Sequence, residues 1–159
     1  MTKKLLFVCL GNICRSPAAE AILKKKLQDS PLCHEDITVD SAGIGAWHVG
    51  QLPDHRMRLH GEQHGYDISS RARQIKPQDF DHFDWILAMD NQNVVDLKKV
   101  ARNLKDAKKI RLATDFMTQH PGQATVPDPY YGGDCDFEWA IELIEDACDG
   151  IIKELEKEL

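Results

Sequence analysis

The sequence lacks the features that would place it among membrane, fibrous or disordered proteins. Its 159 residues contain no low-complexity tract and no apolar run of transmembrane length. Basic residues are also in deficit, with 20 Lys and Arg against 26 Asp and Glu, so the formal net charge is −6. Nucleic acids and acidic membranes attract clustered positive charge. We therefore expect no nucleic-acid partner and no insertion into a membrane.

Cysteine is scarce as well, and its five copies form no recognisable framework. They lie at positions 9, 14, 33, 135 and 148, an odd number with irregular spacing that is typical of a reducing compartment. The N-terminal MTKKLLFVCLG has the basic and apolar regions of a signal peptide, but its apolar run ends at Asn12 after very few residues. We therefore expect a cytoplasmic protein in which residues 1–159 form a single domain with its own core.

Apolar spacing along the chain alternates between the patterns of strands and helices. Short apolar runs predict four strands, at residues 4–10, 37–41, 83–89 and 108–113. Helical spacing predicts helices over residues 16–28 and 54–64, over 94–104, and over 137–155. Alternating strands and helices predict an α/β fold built on a parallel sheet.

The stretch VCLGNICRSPAAEA, residues 8–21, joins the first predicted strand to the first predicted helix. Ligands of open α/β sheets bind outside the carboxyl ends of the strands, and Cys9 stands at that edge. Ser16 is predicted to cap the helix and Pro17 to occupy its first position. The unpaired N–H groups and the macrodipole of a helix start favour an anion such as phosphate.

Individual residues of this stretch favour the same ligand. Gly11 and Asn12 tolerate left-handed backbone angles, so the loop can curl its amides inward. Arg15 adds a planar fork that suits two phosphate oxygens. The same amides and charge stabilise a thiolate over a thiol, which makes Cys9 a predicted nucleophile instead of an ordinary buried cysteine.

Other uses of the two cysteines fit less well. Zinc would need two ligands besides Cys9 and Cys14, and the remaining Cys and His residues are scattered, so no metal is expected. The phosphate loop GxxxxGK followed by Ser or Thr is absent. A disulfide between Cys9 and Cys14 is conceivable, but the spacing is not C-x-x-C and Arg15 would lack a purpose. Reversible oxidation involving Cys14 is retained as a secondary property.

Three motifs together resemble the low-molecular-weight protein tyrosine phosphatases: CLGNICRSP near the N-terminus, DSAG at 40–43 and DPYYGG at 128–133. They follow that family's order and spacing and span essentially the whole chain. The resemblance implies a three-layer α/β/α fold with a four-stranded parallel sheet. It also implies hydrolysis of phosphotyrosine in proteins and of aryl phosphate monoesters, with inorganic phosphate as product and without metal or cofactor.

The resemblance further implies roles for single residues. Cys9 would attack phosphorus to form a cysteinyl-phosphate, Arg15 would hold the equatorial oxygens, and Asp128 would act as general acid and then as base. The prolines on either side of Asp128, at 127 and 129, restrict its backbone and could hold it over the loop. The implied phosphate-binding residues are Leu10, Gly11, Asn12, Ile13, Cys14, Arg15 and Ser16.

Aromatic walls and loop support are implied in the same way. Rings stack on an aryl substrate, and the candidate wall residues are Trp47, Tyr130 and Tyr131, with His48 and Ile13 at the rim. Many relatives support the loop Asn, here Asn12, through a His that Ser70 replaces, so Ser70, Ser41 or a water is expected in that role. The Ser16 hydroxyl is expected to contact the sulfur. A last set is interpreted as strand-end and surface residues: Asp90, Arg71 and Arg73.

Two other functions share such a loop. One class of arsenate reductases has the same fold, but its thiol relay needs a cysteine in the segment that is AMDNQNVVDL here, which has none. An adaptor that only binds anions would be favoured by loss of the nucleophile, the arginine or the acid, and all three are present. Hydrolysis of aryl phosphates is therefore the favoured prediction.

Overall fold

One sheet of four parallel strands organises residues 2–159, the part of the chain that the computed structural model describes. The strands, in the spatial order β2-β1-β3-β4, are β1 (Thr2–Cys9), β2 (Asp36–Gly43), β3 (Trp85–Ala88) and β4 (Ile110–Leu112). Within the sheet, Leu6 pairs with Asp40 on one side and with Ile86 on the other. Because β2 and β3 flank β1 from opposite sides, the loop after β1 opens at a topological switch point, the usual place for a ligand.

Helices connect the strands and cover the sheet. They are α1 (Arg15–Gln28), α2 (His55–Gln63), α3 (Asp79–His82), α4 (Asn91–Val100), α5 (Leu104–Ala107) and α6 (Asp134–Glu158), with 3₁₀ turns at Pro31–His34 and Ala113–Phe116. Within residues 2–159 no helix is long and apolar enough to cross a membrane.

Successive side chains of β1 point alternately into two separate hydrophobic cores. Leu5 and Phe7 point to the core formed with α1 and α6, while Leu6 and Val8 point to the core formed with α3 and α4. Each fully buried aliphatic or aromatic side chain contributes about 1.5–3 kcal/mol, so burial on both faces stabilises the central strand strongly. The predicted α/β/α layering with a parallel sheet is confirmed.

The start of α1 differs from the prediction. The helix begins at Arg15 with Cys14 as its N-cap, so Ser16 and Pro17 lie inside the first turn instead of at the cap and the first position. The reason is a competing partner, because the Ser16 hydroxyl contacts the sulfur of Cys9. The prediction that Ser16 caps the helix was therefore wrong.

The end of α4 differs as well. Ala101 turns to an extended backbone and Asn103 caps the separate helix α5, so the helical pattern does not run on to Leu104. Leu104, whose apolar spacing placed the end of the predicted helix at residue 104, is 71% exposed and lies outside α4, so that end of the prediction was wrong. Two caps in close succession override the apolar spacing at this point.

Candidate active site

The loop between β1 and α1 presents unpaired backbone donors. Its carbonyls are occupied from outside: Leu10 O accepts from Gly45 N at 2.9 Å, and Ile13 O accepts from Asp54 N at 2.7 Å. In the described part of the chain, the N–H groups of residues 11–14 have no backbone acceptor. Asn12 turns the loop with a left-handed φ of 58°. The free N–H groups at the start of α1 form a site suited to an anion.

Cys9, the last residue of β1, lies beside this loop and is almost fully buried. Its Sγ is 3.0 Å from the Oγ of Ser16 and 3.4 Å from the backbone N of Ser16. Asn12 Nδ2 donates to the same Oγ at 2.8 Å, and the acceptors within reach of the hydroxyl proton are the sulfur at 3.0 Å and the carbonyl of Ala42 at 3.4 Å. The expected contact between Ser16 and Cys9 is therefore present.

Arg15 is buried and anchored along one side only. Its Nη1 donates to Asp90 Oδ2 at 2.7 Å and to the carbonyl of Val126 at 2.9 Å. Its Nη2 lies 3.6 Å from Asp128 Oδ2. Within residues 2–159 the buried Nε has no hydrogen-bond partner. The edge formed by Nε and Nη2 is therefore available for two oxygens of an anion.

The negative groups around Arg15 keep it charged. Burial opposes the charged form, but the charges of Cys9, Asp90 and Asp128 outweigh it and raise the pKa of Arg15. Asp90 also accepts from Asn93 N at 2.7 Å and thereby caps α4. It lies just after β3, as interpreted from the sequence, but it also orients Arg15, a contact that this interpretation missed. The position of Asp90 in the sequence could have indicated this contact, because residues that follow β3 lie at the carboxyl edge of the sheet, where ligands bind.

Asn12 is held at both ends of its amide. Its Oδ1 accepts from Arg73 N at 3.0 Å, and its Nδ2 donates to Ser41 Oγ at 3.0 Å as well as to Ser16. Ser41 in turn donates to the buried carboxylate of Glu20 at 2.7 Å. Ser41 therefore supports the loop as expected. Glu20 is a further member of this network, and no sequence pattern indicated it.

Arg73 is not a simple surface residue either. Besides its backbone contact with Asn12, its guanidinium bridges the carboxylates of Asp40 and Asp79 at 3.1–3.3 Å. These bonds fix the segment that supplies the N–H to Asn12. The surface interpretation fits Arg71, whose Nη1 reaches the carbonyl of Gly50 on the exterior.

Ser70 does not reach Asn12. It is half-buried and lines a separate cavity of about 290 Å³ together with Glu20 and Lys24. Its side chain makes no hydrogen bond to any residue between 2 and 159. The polar atoms of Asn12 are already paired with Arg73, Ser41 and Ser16, so the expected support by Ser70 is not seen.

The end of β2 packs tightly against the loop between β1 and α1. A Cβ at Gly43 would lie 3.0 Å from the backbone N of Asn12 and 3.0 Å from the carbonyl carbon of Gly11. Real Cβ contacts with rigid backbone are rarely so short, so only glycine fits here without a shift of the loop. This contact explains the small residue at the end of the DSAG motif.

A cavity of about 330 Å³ opens above Cys9. Its lining residues are Cys9, Leu10, Gly11, Ile13, Cys14, Trp47, His48, Asp128, Tyr130 and Tyr131. Trp47 and Tyr131 are exposed at the mouth, and the rings of Tyr130 and Tyr131 meet edge to face at 4.9 Å. The structure thus brings the three predicted wall residues and the predicted acid to one cavity.

Asp128 and Cys14 occupy contrasting positions in this cavity. The Asp128 side chain is partly exposed, and its Oδ1 accepts from Tyr130 N at 3.1 Å. Cys14 is buried, and burial, followed by the charge of Asp54, raises the pKa of its thiol well above the usual range. Cys14 is therefore a neutral thiol and a poor nucleophile beside Cys9.

Comparison with known proteins agrees with this geometry. A family model described as low molecular weight phosphotyrosine protein phosphatase matches residues 4–159. The chain is 46% identical over 156 residues to a putative low molecular weight protein-tyrosine-phosphatase of Synechocystis, covering 98% of each. It is 43% identical over 148 residues to the low molecular weight phosphotyrosine protein phosphatase of Homo sapiens, covering 92% of each.

A solved structure is similarly close. The crystal structure of a protein tyrosine phosphatase from Entamoeba histolytica, with Hepes in the active site, matches with a TM-score of 0.93 and 46% identity over 98% of both chains. The resemblance read from the three sequence motifs is therefore confirmed. The chain belongs to the low molecular weight phosphotyrosine protein phosphatase family, hydrolases that act through a cysteinyl-phosphate intermediate.

Proposed function

We propose that Cys9, Arg15 and Asp128 hydrolyse phosphotyrosine in proteins, and aryl phosphate monoesters, in the cavity above β1. One observation carries this proposal: the Cys9 sulfur and the Asp128 carboxylate border the same cavity, and Arg15 turns a free edge toward Asp128. Nucleophile, anion clamp and acid are thereby within reach of one phosphoryl group.

In the first step the Cys9 thiolate attacks phosphorus, the S–P bond forms and the aryl P–O bond breaks. The free amides of residues 11–14 and the edge of Arg15 stabilise the charge on the three equatorial oxygens. Asp128 donates its proton to the departing phenoxide. A positioned acid of this kind typically contributes ~10²–10⁴ in rate.

In the second step water attacks the phosphorus of the cysteinyl-phosphate. The Asp128 carboxylate takes a proton from that water, the S–P bond breaks and Cys9 leaves as a thiolate. The Ser16 hydroxyl and N–H, which contact the sulfur, stabilise the leaving thiolate. Inorganic phosphate is released and the free enzyme is restored.

The walls of the cavity favour an aryl group over an alkyl one. Trp47, Tyr130 and Tyr131 offer rings on which a phenyl ester stacks, and Ile13 adds an apolar contact near the sulfur. The Tyr131 ring is almost fully exposed, so it also contacts the protein that presents the phosphotyrosine. A phosphotyrosine side chain therefore suits this cavity better than a phosphoserine side chain, which is short and has no ring.

We extend the proposal to the setting in which the protein works. In residues 2–159 all five cysteines are free thiols, which supports a reducing, cytoplasmic location. The net charge of −6 supports action without nucleic acid or membrane insertion. The sulfur of Cys9 must also be reduced at the start of each turnover, and a reducing compartment maintains that state.

The test is hydrolysis of para-nitrophenyl phosphate and phenyl phosphate near pH 5 to 6 in reductant and chelator. We expect native turnover, no turnover by Cys9→Ser, and a loss of ~10²–10⁴ in kcat/KM toward phenyl phosphate for Asp128→Ala. Cys135→Ser and Asp67→Ala change exposed residues of the same types and are the matched controls. A native protein that is inactive, or a Cys9→Ser variant that is active, would overturn the proposal, and arsenate would then be tested with a thioredoxin system.

A further inference from the structure

Arg56 lies outside the cavity lining but contacts the loop that carries Asp128. We call residues 127–132 the acid loop. Arg56 Nη2 donates to the carbonyl of Tyr130 at 2.8 Å, and Nη1 donates to the carbonyl of Gly132 at 3.3 Å. The two carbonyls lie two and four residues beyond Asp128, so the guanidinium holds the far half of the acid loop.

The same guanidinium is tied to the loop that binds the anion. Arg56 Nε and Nη2 donate to the two oxygens of Asp54 at 3.1 and 3.0 Å. Asp54 donates its own N–H to the carbonyl of Ile13 at 2.7 Å, and it caps α2 by accepting from Arg56 N at 2.9 Å. Partial burial of Asp54 opposes its charged form, but the bonds from Arg56 prevail and lower its pKa. The carboxylate thus remains ionised and keeps Arg56 in place.

Aromatic rings fix the plane of the guanidinium. Its central carbon lies 4.6 Å from the ring centroid of Phe137 in the first turns of α6, and 5.8 Å from that of Tyr130. Phe137 is fully buried and cannot move aside. Arg56 is therefore held by α2, by α6 and by Asp54 before it contributes anything to the acid loop.

The acid loop has mainly local bonds of its own. Tyr130 N donates to Asp128 Oδ1 at 3.1 Å, and Gly132 N donates to the carbonyl of Pro129 at 2.8 Å. Such bonds shape the turn but do not set its distance from Cys9. The near half of the segment is held by Val126, which bonds Arg15 and Met89, and by Asp128 itself, whose Oδ2 lies 3.6 Å from Arg15 Nη2. The chain of contacts from Ile13 through Asp54 and Arg56 to Tyr130 holds the far half.

We propose that Arg56 is a positioning residue that fixes Asp128 over the phosphate-binding loop, so that the acid can protonate the leaving group. The inference rests on the proposed function, because it assigns Asp128 the role of acid. Misplacement of a catalytic group by about 1 Å can cost ~10² in rate. A lysine cannot substitute, since one ammonium group lacks the planar fork that reaches Asp54 and two carbonyls together.

The experiment compares leaving groups in Arg56→Gln and Arg56→Lys. Phenyl phosphate has a poor leaving group that needs the acid, whereas 2,4-dinitrophenyl phosphate has a good one that does not. We expect kcat/KM for phenyl phosphate to fall roughly tenfold or more in both variants, and kcat/KM for the dinitrophenyl ester to change less than about twofold. Combined with Asp128→Asn, Arg56→Gln should cause almost no further loss with phenyl phosphate, because the acid that it positions is gone.

Arg58→Gln is the matched control, since Arg58 is the next arginine of α2 and makes no side-chain hydrogen bond within residues 2–159. Competitive inhibition by inorganic phosphate gives a second readout, which should stay within about twofold of native in the Arg56 variants because the anion loop is intact. The positioning role of Arg56 would be overturned if its variants lost kcat/KM equally with both esters or bound phosphate more weakly than native protein. It would also be overturned if the losses from Arg56→Gln and Asp128→Asn were fully additive. If Asp128→Asn lowers kcat/KM equally for phenyl phosphate and for the dinitrophenyl ester, Asp128 is not the acid and the proposed function fails instead.

Discussion

The carboxylate of Asp90 lies 2.7 Å from the guanidinium of Arg15 and at the same time caps α4 through Asn93 N at 2.7 Å. One side chain therefore links the anion clamp to the strand β3 and to the helix that follows it. The other acceptor of the same Arg15 nitrogen, the carbonyl of Val126, belongs to the segment that leads to Asp128. Arg15 is oriented by two separate parts of the fold.

We expect Asp90→Asn and Asp90→Ala to separate these two functions of Asp90. Both variants should lower the free energy of unfolding, because the buried Arg15 loses a charged partner. Asparagine is as good a cap as aspartate, so Asp90→Ala should lose about 1 kcal/mol more than Asp90→Asn. Loss of the charged bond to Arg15 should weaken phosphate binding roughly tenfold in Asp90→Ala and less in Asp90→Asn. Urea unfolding and inhibition by phosphate measure the two effects. Tighter phosphate binding in either variant would show that Asp90 repels the anion more than it orders Arg15.

Ser41 and Ser70 were both expected to support Asn12, and the structure separates them. Ser41→Ala removes the donor to the buried carboxylate of Glu20 and one acceptor of Asn12, so we expect a loss of about 1–3 kcal/mol in stability and a lower kcat. Ser70→Ala should leave both quantities close to native, since Ser70 does not contact Asn12. Thermal unfolding and steady-state kinetics with para-nitrophenyl phosphate provide the comparison.

Ser70→His extends the same comparison, because histidine is the residue that many relatives are expected to carry at this position. The polar atoms of Asn12 are already paired, so turnover should rise little. A sharp rise in turnover would mean that the loop lacks a support that Ser41 and Arg73 do not supply.

The sequence was most informative where function depends on residues that are close along the chain. Cys9, Arg15 and the amides between them lie in one strand, loop and helix start, so their spacing alone predicts an anion site. Asp128 was found only through the DPYYGG motif, because no local pattern places a distant loop over β1. Apolar spacing predicted the layers because the inner strands β1 and β3 are largely buried on both faces.

The supporting contacts could not be predicted in this way. Whether Ser70 or Arg73 meets Asn12 depends on how one irregular segment packs against the end of β2. Backbone bonds from Gly43 to Arg73 and from Ile75 to Gly43 hold that segment in place. The positioning role of Arg56 likewise could not be predicted from the sequence, since it depends on where Asp54 and Phe137 both lie in the folded protein. Long-range side-chain geometry of this kind has no periodic pattern in the sequence.

Cys14 is predicted to protect Cys9 from irreversible oxidation. Peroxide converts the Cys9 thiolate to a sulfenic acid. The neighbouring Cys14, although burial keeps it a neutral thiol and a poor nucleophile toward phosphorus, can condense with this more reactive group, with loss of water, to form a disulfide. A Cys14→Ser variant should therefore lose activity that thiol reductant does not restore, whereas native protein recovers. Cys33→Ser, which alters an exposed cysteine, is the control. Full recovery of Cys14→Ser after reduction would contradict the prediction.

Asp146 of α6 should make stability depend on pH at the acid end. Its buried carboxylate accepts from the backbone N of Thr118, Gln119 and His120 at 2.9–3.1 Å and from His120 Nδ1 at 2.8 Å. Burial opposes the charge, but these bonds prevail and lower the pKa of Asp146 below its ordinary value of 3.8. A lowered pKa in the folded state means that the stabilisation is present above about pH 4 and is lost as pH falls through the folded pKa.

His120 acts in the opposite direction. Its hydrogen bond to Asp146 raises the pKa of His120 above the ordinary 6.5, so its stabilising charge is present below that pH and is lost as pH rises through the raised value. The pair therefore stabilises the segment before Val126 most between about pH 4 and pH 6.5. Because Val126 holds Arg15, this segment also bears on the anion site.

Asp146→Asn tests the carboxylate directly. We expect it to lower the free energy of urea unfolding by about 1–3 kcal/mol at pH 6, because buried N–H donors lose a charged acceptor. The difference from native protein should shrink as the pH falls from 3.8 toward the lower pKa of the folded state, because the unfolded chain takes up a proton at this carboxylate before the native protein does. Asp149→Asn, which alters a more exposed carboxylate one turn later in α6, should show a much smaller difference at pH 6. A difference for Asp146→Asn that stays constant from pH 6 to pH 3 would show that shape and neutral hydrogen bonding, and not charge, hold this segment.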